Sequence, residues 1–371
     1  MAESRLHQLS ARGQSVWIDY LSRDLLQTGE LKRMTEEDAV VGVTSNPTIF
    51  QKAISQGNAY DEQLKELLEH EDDAKEIFLN LAVRDVESAL DLLAPVHDAN
   101  AQDGYVSIEV DPNLAYDTKA TYNEAIRLHE WIDRPNLYVK IPGTEPGVRA
   151  IEDCIAAGRS INVTLLFSLK MHGEAMEAYV KGLERFVEGG GDPAKVRSVA
   201  SFFVSRVDTE ADKRLEAIGT AEALALRGKL AIANARIAYE NYEKVFSGER
   251  WDALEAKGAL PQRCLWASTS TKNPEYRDVL YVEELIGPHT VDTMPEETIK
   301  AFQDHGEVRG DTVEDDLAAA HALLEEKLPA VGIDYDDVVL TLEKEGVQKF
   351  SDSFAELLDG VKAKRGALVA S

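Results

Sequence analysis

The sequence predicts a (β/α)₈ barrel, and three observations carry that expectation. Eight short runs rich in apolar and β-branched residues occur at 16–19, 40–44, 105–110, 137–141, 161–166, 196–203, 264–268 and 290–293. Several are apolar at both alternate positions, as strands buried on two faces must be. Amphipathic helical patterns separate them, so that strand and helix alternate along the chain. An open doubly wound sheet would carry a glycine-rich phosphate turn after an early strand, and the sequence contains neither GxGxxG nor a P-loop.

The elements follow in order. The first run, Val16-Trp17-Ile18-Asp19, ends in an acid. The second continues into Thr44-Ser45-Asn46-Pro47, where Asn-Pro reads as a turn. Helical patterns at 62–68 and 74–93 fill the long connection to the third run, which Glu109 interrupts. The turn Asp111-Pro112-Asn113 opens a helix over 114–132. The fourth run holds Lys140 among apolar neighbours, and a helix over 147–157 follows. The fifth presents Asn162 and Thr164 two apart, hence on one face. Its helix, 169–188, stops at Gly189-Gly190-Gly191. The sixth yields Ser201 and, past its end, Arg206; the span 210–246 reads as two helices broken near Gly219. The seventh yields Ser268 and the polar stretch Thr269-Ser270-Thr271-Lys272, and the eighth closes the count. From Pro295 the pattern is helical and acidic up to Lys362-Ala363-Lys364-Arg365. No Pro/Gly/Ser-rich linker and no repeat divides the chain. We therefore expect one barrel domain over 1–371, with a helical extension at about 334–362.

Composition excludes several function classes. The 40 Lys and Arg against 67 Asp and Glu leave a net charge of −27, opposed to general nucleic-acid binding and to docking on an anionic membrane. No apolar stretch is long enough to span a bilayer, and the polar start lacks a signal core, so a soluble cytoplasmic protein is expected; for its assembly, a monomer and a homodimer are both open. Cys154 and Cys264 belong to no CxxC pair and read as buried reduced thiols. The eight histidines form no ligand-spaced cluster and HExxH is missing, so no metal is expected.

Barrel chemistry sits at the C-terminal ends of the strands. Each polar residue there has a structural explanation by itself. A strand-end acid caps a turn, and a strand lysine snorkels to water or guards an edge. Arg206 could pair at the surface with Asp208. Together, six successive strands aim such groups at one mouth. A lysine among apolar neighbours loses solvation of its charged form, and a neutral amine attacks carbonyl carbons to give Schiff bases. Imine chemistry needs proton shuttles, for which Glu109 and Asp19 are candidates. Asn46, Asn162, Thr164 and Ser201 suit a polyhydroxylated substrate, and Arg206 and Lys272 suit a terminal phosphate.

The stretches Thr44-Ser45-Asn46-Pro47-Thr48, Ser107-Ile108-Glu109-Val110-Asp111-Pro112, Val139-Lys140-Ile141-Pro142 and Asn162-Val163-Thr164-Leu165-Leu166-Phe167-Ser168 resemble transaldolase. So do Ser201-Phe202-Phe203-Val204-Ser205-Arg206 and Trp266-Ala267-Ser268-Thr269. The likeness runs from about residue 16 to about 295 and is closest to the longer, actinobacterial-type branch, with Tyr281-Val282-Glu283-Glu284-Leu285-Ile286-Gly287-Pro288. It implies a class I, metal-free and cofactor-free transfer of a dihydroxyacetone unit from sedoheptulose 7-phosphate to glyceraldehyde 3-phosphate in the pentose phosphate pathway. It also implies roles: Lys140 as the Schiff-base lysine, Glu109 with Thr164 holding a proton-relaying water, and Asp19 acting on the hydroxyl of the bond that breaks. By the same likeness Asn46, Asn162 and Ser201 hold the dihydroxyacetone unit, and Arg206 with Ser268 holds the phosphate. Many members place an arginine two positions after the serine matching Ser268; here Ser270 stands there, with Lys272 beyond as a substitute charge. A fructose 6-phosphate aldolase, or a non-catalytic sugar-phosphate-binding barrel, are the alternatives.

Overall fold

The computed structural model describes residues 4–55 and 58–369. Eight strands close into a parallel barrel: β1 (Gln14–Ile18), β2 (Val40–Val43), β3 (Tyr105–Glu109), β4 (Leu137–Pro142), β5 (Ile161–Leu166), β6 (Ser198–Phe203), β7 (Arg263–Ala267) and β8 (Thr290–Met294). Each pairs with its successor and β8 pairs back with β1, so no edge is left open. All eight runs expected from the sequence are strands, with boundaries shifted by one or two residues at most ends. Asp19 and Thr44 fall just past β1 and β2 rather than within them. Residues 196 and 197 drop out of β6 because the chain first makes a 3₁₀ turn at Pro193–Lys195. Ser268 drops out of β7 because its φ of +59° lies in the left-handed region, where a strand cannot continue.

The helices differ more. The span 114–132 is a 3₁₀ turn, Pro112–Leu114, followed by a helix over Thr118–Ile132; Asp111 and Asp117 supply the two N-caps. The span 210–246 holds three helices, not two. Ser205–Ile218 ends at Gly219, whose φ of +72° suits glycine, and Ala221–Leu224 and Leu230–Val245 follow. The Asn-Pro turn after β2 also starts a helix, Pro47–Ser55, with proline at its first position.

Aromatic side chains fill the barrel below its mouth. Tyr105 and Tyr138 stack with ring centroids 4.0 Å apart, and Trp17 packs on Tyr138 at 6.1 Å. Gly42 of β2 makes room for them: a Cβ there would lie 2.5 Å from the Trp17 ring. Above this plug the same period-two face continues with Ser107 and Glu109 on β3, Lys140 on β4, and Asn162 and Thr164 on β5. The register sets Glu109 beside Lys140 and Lys140 beside Asn162.

A long helix, Tyr335–Val369, leaves the barrel wall and passes its mouth. Tyr335 ties its start, donating to Asn234 Oδ1 at 2.7 Å and accepting from the Leu169 N–H at 3.0 Å. Further on, Thr48 donates to Ser353 at 2.8 Å and Phe354 packs edge-on against Phe78. Both cysteines are buried and free. Among the described residues no helix is long and apolar enough to cross a membrane.

Candidate active site

A cavity of about 240 Å³ opens at the C-terminal mouth of the barrel. Asp19, Asn46, Lys140, Thr164, Ser201, Arg206, Ser268 and Lys272 all line it. The two remaining expected residues, Glu109 and Asn162, lie buried just behind, each in reach of a lining group. Residues from seven strands and their following loops thus meet at one place.

Lys140 is only 4% exposed. Its Nζ donates to the Ser45 carbonyl at 3.0 Å and lies 3.5 Å from Glu109 Oε2. Those contacts fix the amine at the cavity floor. Burial raises the Glu109 carboxyl to a pKa of about 7, against the pull of the neighbouring Lys140 charge. Both Glu109 oxygens and the Thr164 hydroxyl are buried and make no hydrogen bond among the described residues, so each keeps its capacity for a third party. A carboxyl that titrates near neutrality beside an amine can both give and take a proton.

Asp19 sits on the β1 side. Thr44 donates to its Oδ1 at 2.7 Å, and the Thr44 hydroxyl in turn contacts that of Thr293 at 2.6 Å. Burial raises the Asp19 pKa, opposed by the Lys140 charge and by the Thr44 hydrogen bond. Asn162 has both ends of its amide occupied: Nδ2 donates to Ser107 Oγ at 3.1 Å, and Oδ1 accepts from Ser201 Oγ at 2.7 Å. It therefore reaches the cavity through Ser201. Asn46 caps the helix Pro47–Ser55 by accepting from the Ile49 N–H at 3.1 Å, which leaves its amide N–H groups for other work. The turn role and the cavity position coexist in that residue.

Arg206 does not pair with Asp208. Asp208 instead accepts from the Ala231 N–H and from the Tyr281 hydroxyl, each at 2.8 Å. The Arg206 guanidinium lies over Phe203 at 5.0 Å and near Phe350 at 6.0 Å, an aromatic setting that holds a planar cation without neutralising it. Ser268 shares a hydroxyl contact of 2.9 Å with Ser205, and Lys272 donates to Ser270 at 2.7 Å. Two non-glycine residues hold positive φ at this mouth, Leu165 (+57°) directly after Thr164, and Ser268 (+59°). Such strain collects where side chains must be aimed for a task.

Sequence reasoning passed over several residues. Thr44 and Thr293 orient Asp19, the Ser45 carbonyl holds the Lys140 amine, and Ser107 holds Ser45 and Asn162; Glu297, Lys349 and Phe350 line the cavity. The strand-end hydroxyls were visible as polar tips, but their partners lie on other strands. Lys349 and Phe350 carried no signal beyond helical spacing. Among the described residues no group of three or more His, Cys, Asp and Glu is placed to hold a metal ion.

The chain is similar to known proteins along nearly its whole length. Residues 16–361 match the family described as Transaldolase/Fructose-6-phosphate aldolase. The chain is 53% identical over 363 residues to a protein of Mycolicibacterium smegmatis named transaldolase, covering 98% of each chain. It is 54% identical to a transaldolase of Acidothermus cellulolyticus, covering 96% of this chain and 95% of that one. A transaldolase of Mycobacterium tuberculosis is 51% identical, with 96% of both chains covered.

Proposed function

The chain belongs to the transaldolase/fructose-6-phosphate aldolase family, and on that premise we propose that it is a transaldolase working through a Schiff base on Lys140. The observation that carries this reading is the Lys140 amine, buried, held by the Ser45 carbonyl, and set against a carboxyl that titrates near 7. A cavity lined by the Asp19 and Glu297 carboxyls and by the cations Arg206, Lys272 and Lys349, with Glu109 behind it, suits a phosphorylated ketose.

The amine of Lys140 attacks the ketose carbonyl, and the carbinolamine loses water to give a protonated imine. Glu109 supplies and recovers the protons of these steps through a water that Thr164 also holds. Asp19 takes the proton of the hydroxyl on the far carbon of the bond that breaks, and that carbon becomes the leaving aldehyde. The electron pair of that bond flows into the iminium, which becomes an enamine, and an aldose phosphate leaves. The enamine, a dihydroxyacetone unit still bound to Lys140, adds to the aldehyde of the acceptor. Asp19 returns its proton to the new alkoxide, and water hydrolyses the imine. Sedoheptulose 7-phosphate and glyceraldehyde 3-phosphate thereby give erythrose 4-phosphate and fructose 6-phosphate. Asn46 and Ser201 hold the three-carbon unit, Asn162 holds Ser201, and Arg206, Ser268 and Lys272 take the phosphate.

An aldolase that releases free dihydroxyacetone shares this chemistry, and the family description includes one. Curated relatives matched along nearly the whole chain are transaldolases, which favours transfer. The deciding experiment follows fructose 6-phosphate with and without an aldehyde acceptor. Turnover that needs the acceptor supports transfer; sustained release of dihydroxyacetone without one contradicts it.

Two expectations follow here. Arg206→Ala should raise KM for phosphorylated sugars and lower kcat/KM by about 2–4 kcal/mol, the scale of lost charge-assisted hydrogen bonds. Steady-state kinetics check it, and an unchanged kcat/KM would place the phosphate elsewhere. The second concerns pH. With Glu109 raised to about 7, kcat/KM should show a titration step near that value. Glu109→Gln should lose the step and about 10²-fold in turnover. A pH profile that keeps the step in Glu109→Gln assigns it to another group.

A further inference from the structure

The cation end of the cavity includes a lysine that does not come from the barrel. Lys349 lies on the helix Tyr335–Val369, between its two ties at Tyr335 and Ser353. One turn before it, Gly346 lets the helix approach the end of β5. A Cβ at that position would meet Leu165 at 3.1 Å and Phe167 at 3.4 Å. Lys349 and Phe350 then both line the cavity that holds Lys140, Arg206, Ser268 and Lys272. Phe350 is buried beside the Arg206 guanidinium, so its backbone position, and that of the neighbouring Lys349, is fixed relative to Arg206.

Asp19 and Glu297 line the same cavity, but the charges that act on Lys349 most are cationic. The Arg206 charge, then burial, then Lys272 and Lys52, all push its ammonium below the ordinary lysine pKa. Among the described residues Lys349 makes no ion pair. In a chain of net charge −27, with acids abundant for surface pairing, a cluster of like charges at a cavity rim is held together against repulsion and gains from a dianion. We propose that Lys349 is a further cationic ligand of the substrate phosphate, so that the helix Tyr335–Val369 forms part of the binding site and helps select phosphorylated over unphosphorylated sugars. This rests on the transaldolase reading of the cavity.

The test compares two acceptors, glyceraldehyde 3-phosphate and unphosphorylated glyceraldehyde, in the full-length enzyme. Lys349→Met should raise KM for the phosphorylated acceptor and lower its kcat/KM by about 10-fold, with kcat retained. For the unphosphorylated acceptor both constants should stay unchanged. Competitive inhibition by inorganic phosphate should weaken in parallel, and Lys349→Arg should restore both. Lys349 is an exposed residue whose removal relieves repulsion, so the melting temperature should not fall. Equal losses for the two acceptors, or no loss for the phosphorylated one, would overturn the phosphate role. Borohydride trapping in the wild-type enzyme tests the underlying reading separately. A Lys140 adduct together with unaltered discrimination in Lys349→Met overturns the role of Lys349 alone. Absence of any adduct in the wild type overturns the reading and this inference with it.

Discussion

Lys140→Ala is expected to have no measurable transfer activity. Every step of the proposed reaction passes through the bond between this amine and the substrate carbon, so its removal leaves no partial route. The neighbouring carboxyls cannot substitute, because the electron sink for C–C cleavage is the iminium itself. The fold should survive the change. Glu109 loses its ion-pair partner at 3.5 Å, but burial already holds that carboxyl near pKa 7, so it can turn neutral at modest cost. Lys140→Met, closer in volume, guards against loss through a cavity. Activity assayed by coupled detection of glyceraldehyde 3-phosphate consumption, beside a melting curve, checks both statements. A folded Lys140→Ala enzyme with substantial turnover would leave the mechanism without its nucleophile.

Asp19→Ala is expected to slow turnover by at least about 10²-fold while leaving imine formation intact. The two carboxyls divide the work by position. Glu109 lies against the Lys140 amine; Asp19 lies on the β1 side, oriented by Thr44 and Thr293. Burial raises the Asp19 pKa, which makes its ionised form a stronger base for the substrate hydroxyl. Removing it should stall the reaction after the imine and before cleavage. Borohydride added with fructose 6-phosphate should then fix the entire six-carbon ketose on Lys140, where the wild-type enzyme is fixed mainly with the three-carbon unit. Peptide mass mapping separates the two. A loss of all adduct in Asp19→Ala would instead put this residue in imine formation.

The barrel was legible because its signals are local. Eight runs apolar on both faces, separated by helical patterns, define parallel strands, and a polar residue breaking such a run is conspicuous, as Glu109 and Lys140 are. Boundaries shifted where one backbone conformation decided them. Ser268 looks like strand sequence, yet its positive φ ends β7. The helix beginning at Pro47 is hidden in the sequence, because Asn46-Pro47 suits a plain turn equally well. Residues that orient the chemistry were hidden for another reason. The hydrogen bonds of Thr293 to Thr44 and of Lys140 to the Ser45 carbonyl join segments far apart in sequence. The hydrogen bonds of Asn162 to Ser107 and Ser201 likewise join separate strands, which only the closed barrel reveals. Lys349 was the least visible. Val347, Phe350, Phe354, Leu357 and Val361 mark an apolar stripe of helical spacing, but spacing does not say which part of the barrel a helix will cover.

The measurement that tests the central claim most directly is borohydride reduction in the presence of fructose 6-phosphate, followed by peptide mapping of the inactivated protein. The proposed mechanism predicts one adduct per chain, carrying three carbons, on Lys140, with loss of activity in proportion to labelling. An inactivated protein labelled on another lysine, or a fully active protein with no label on Lys140, would contradict it.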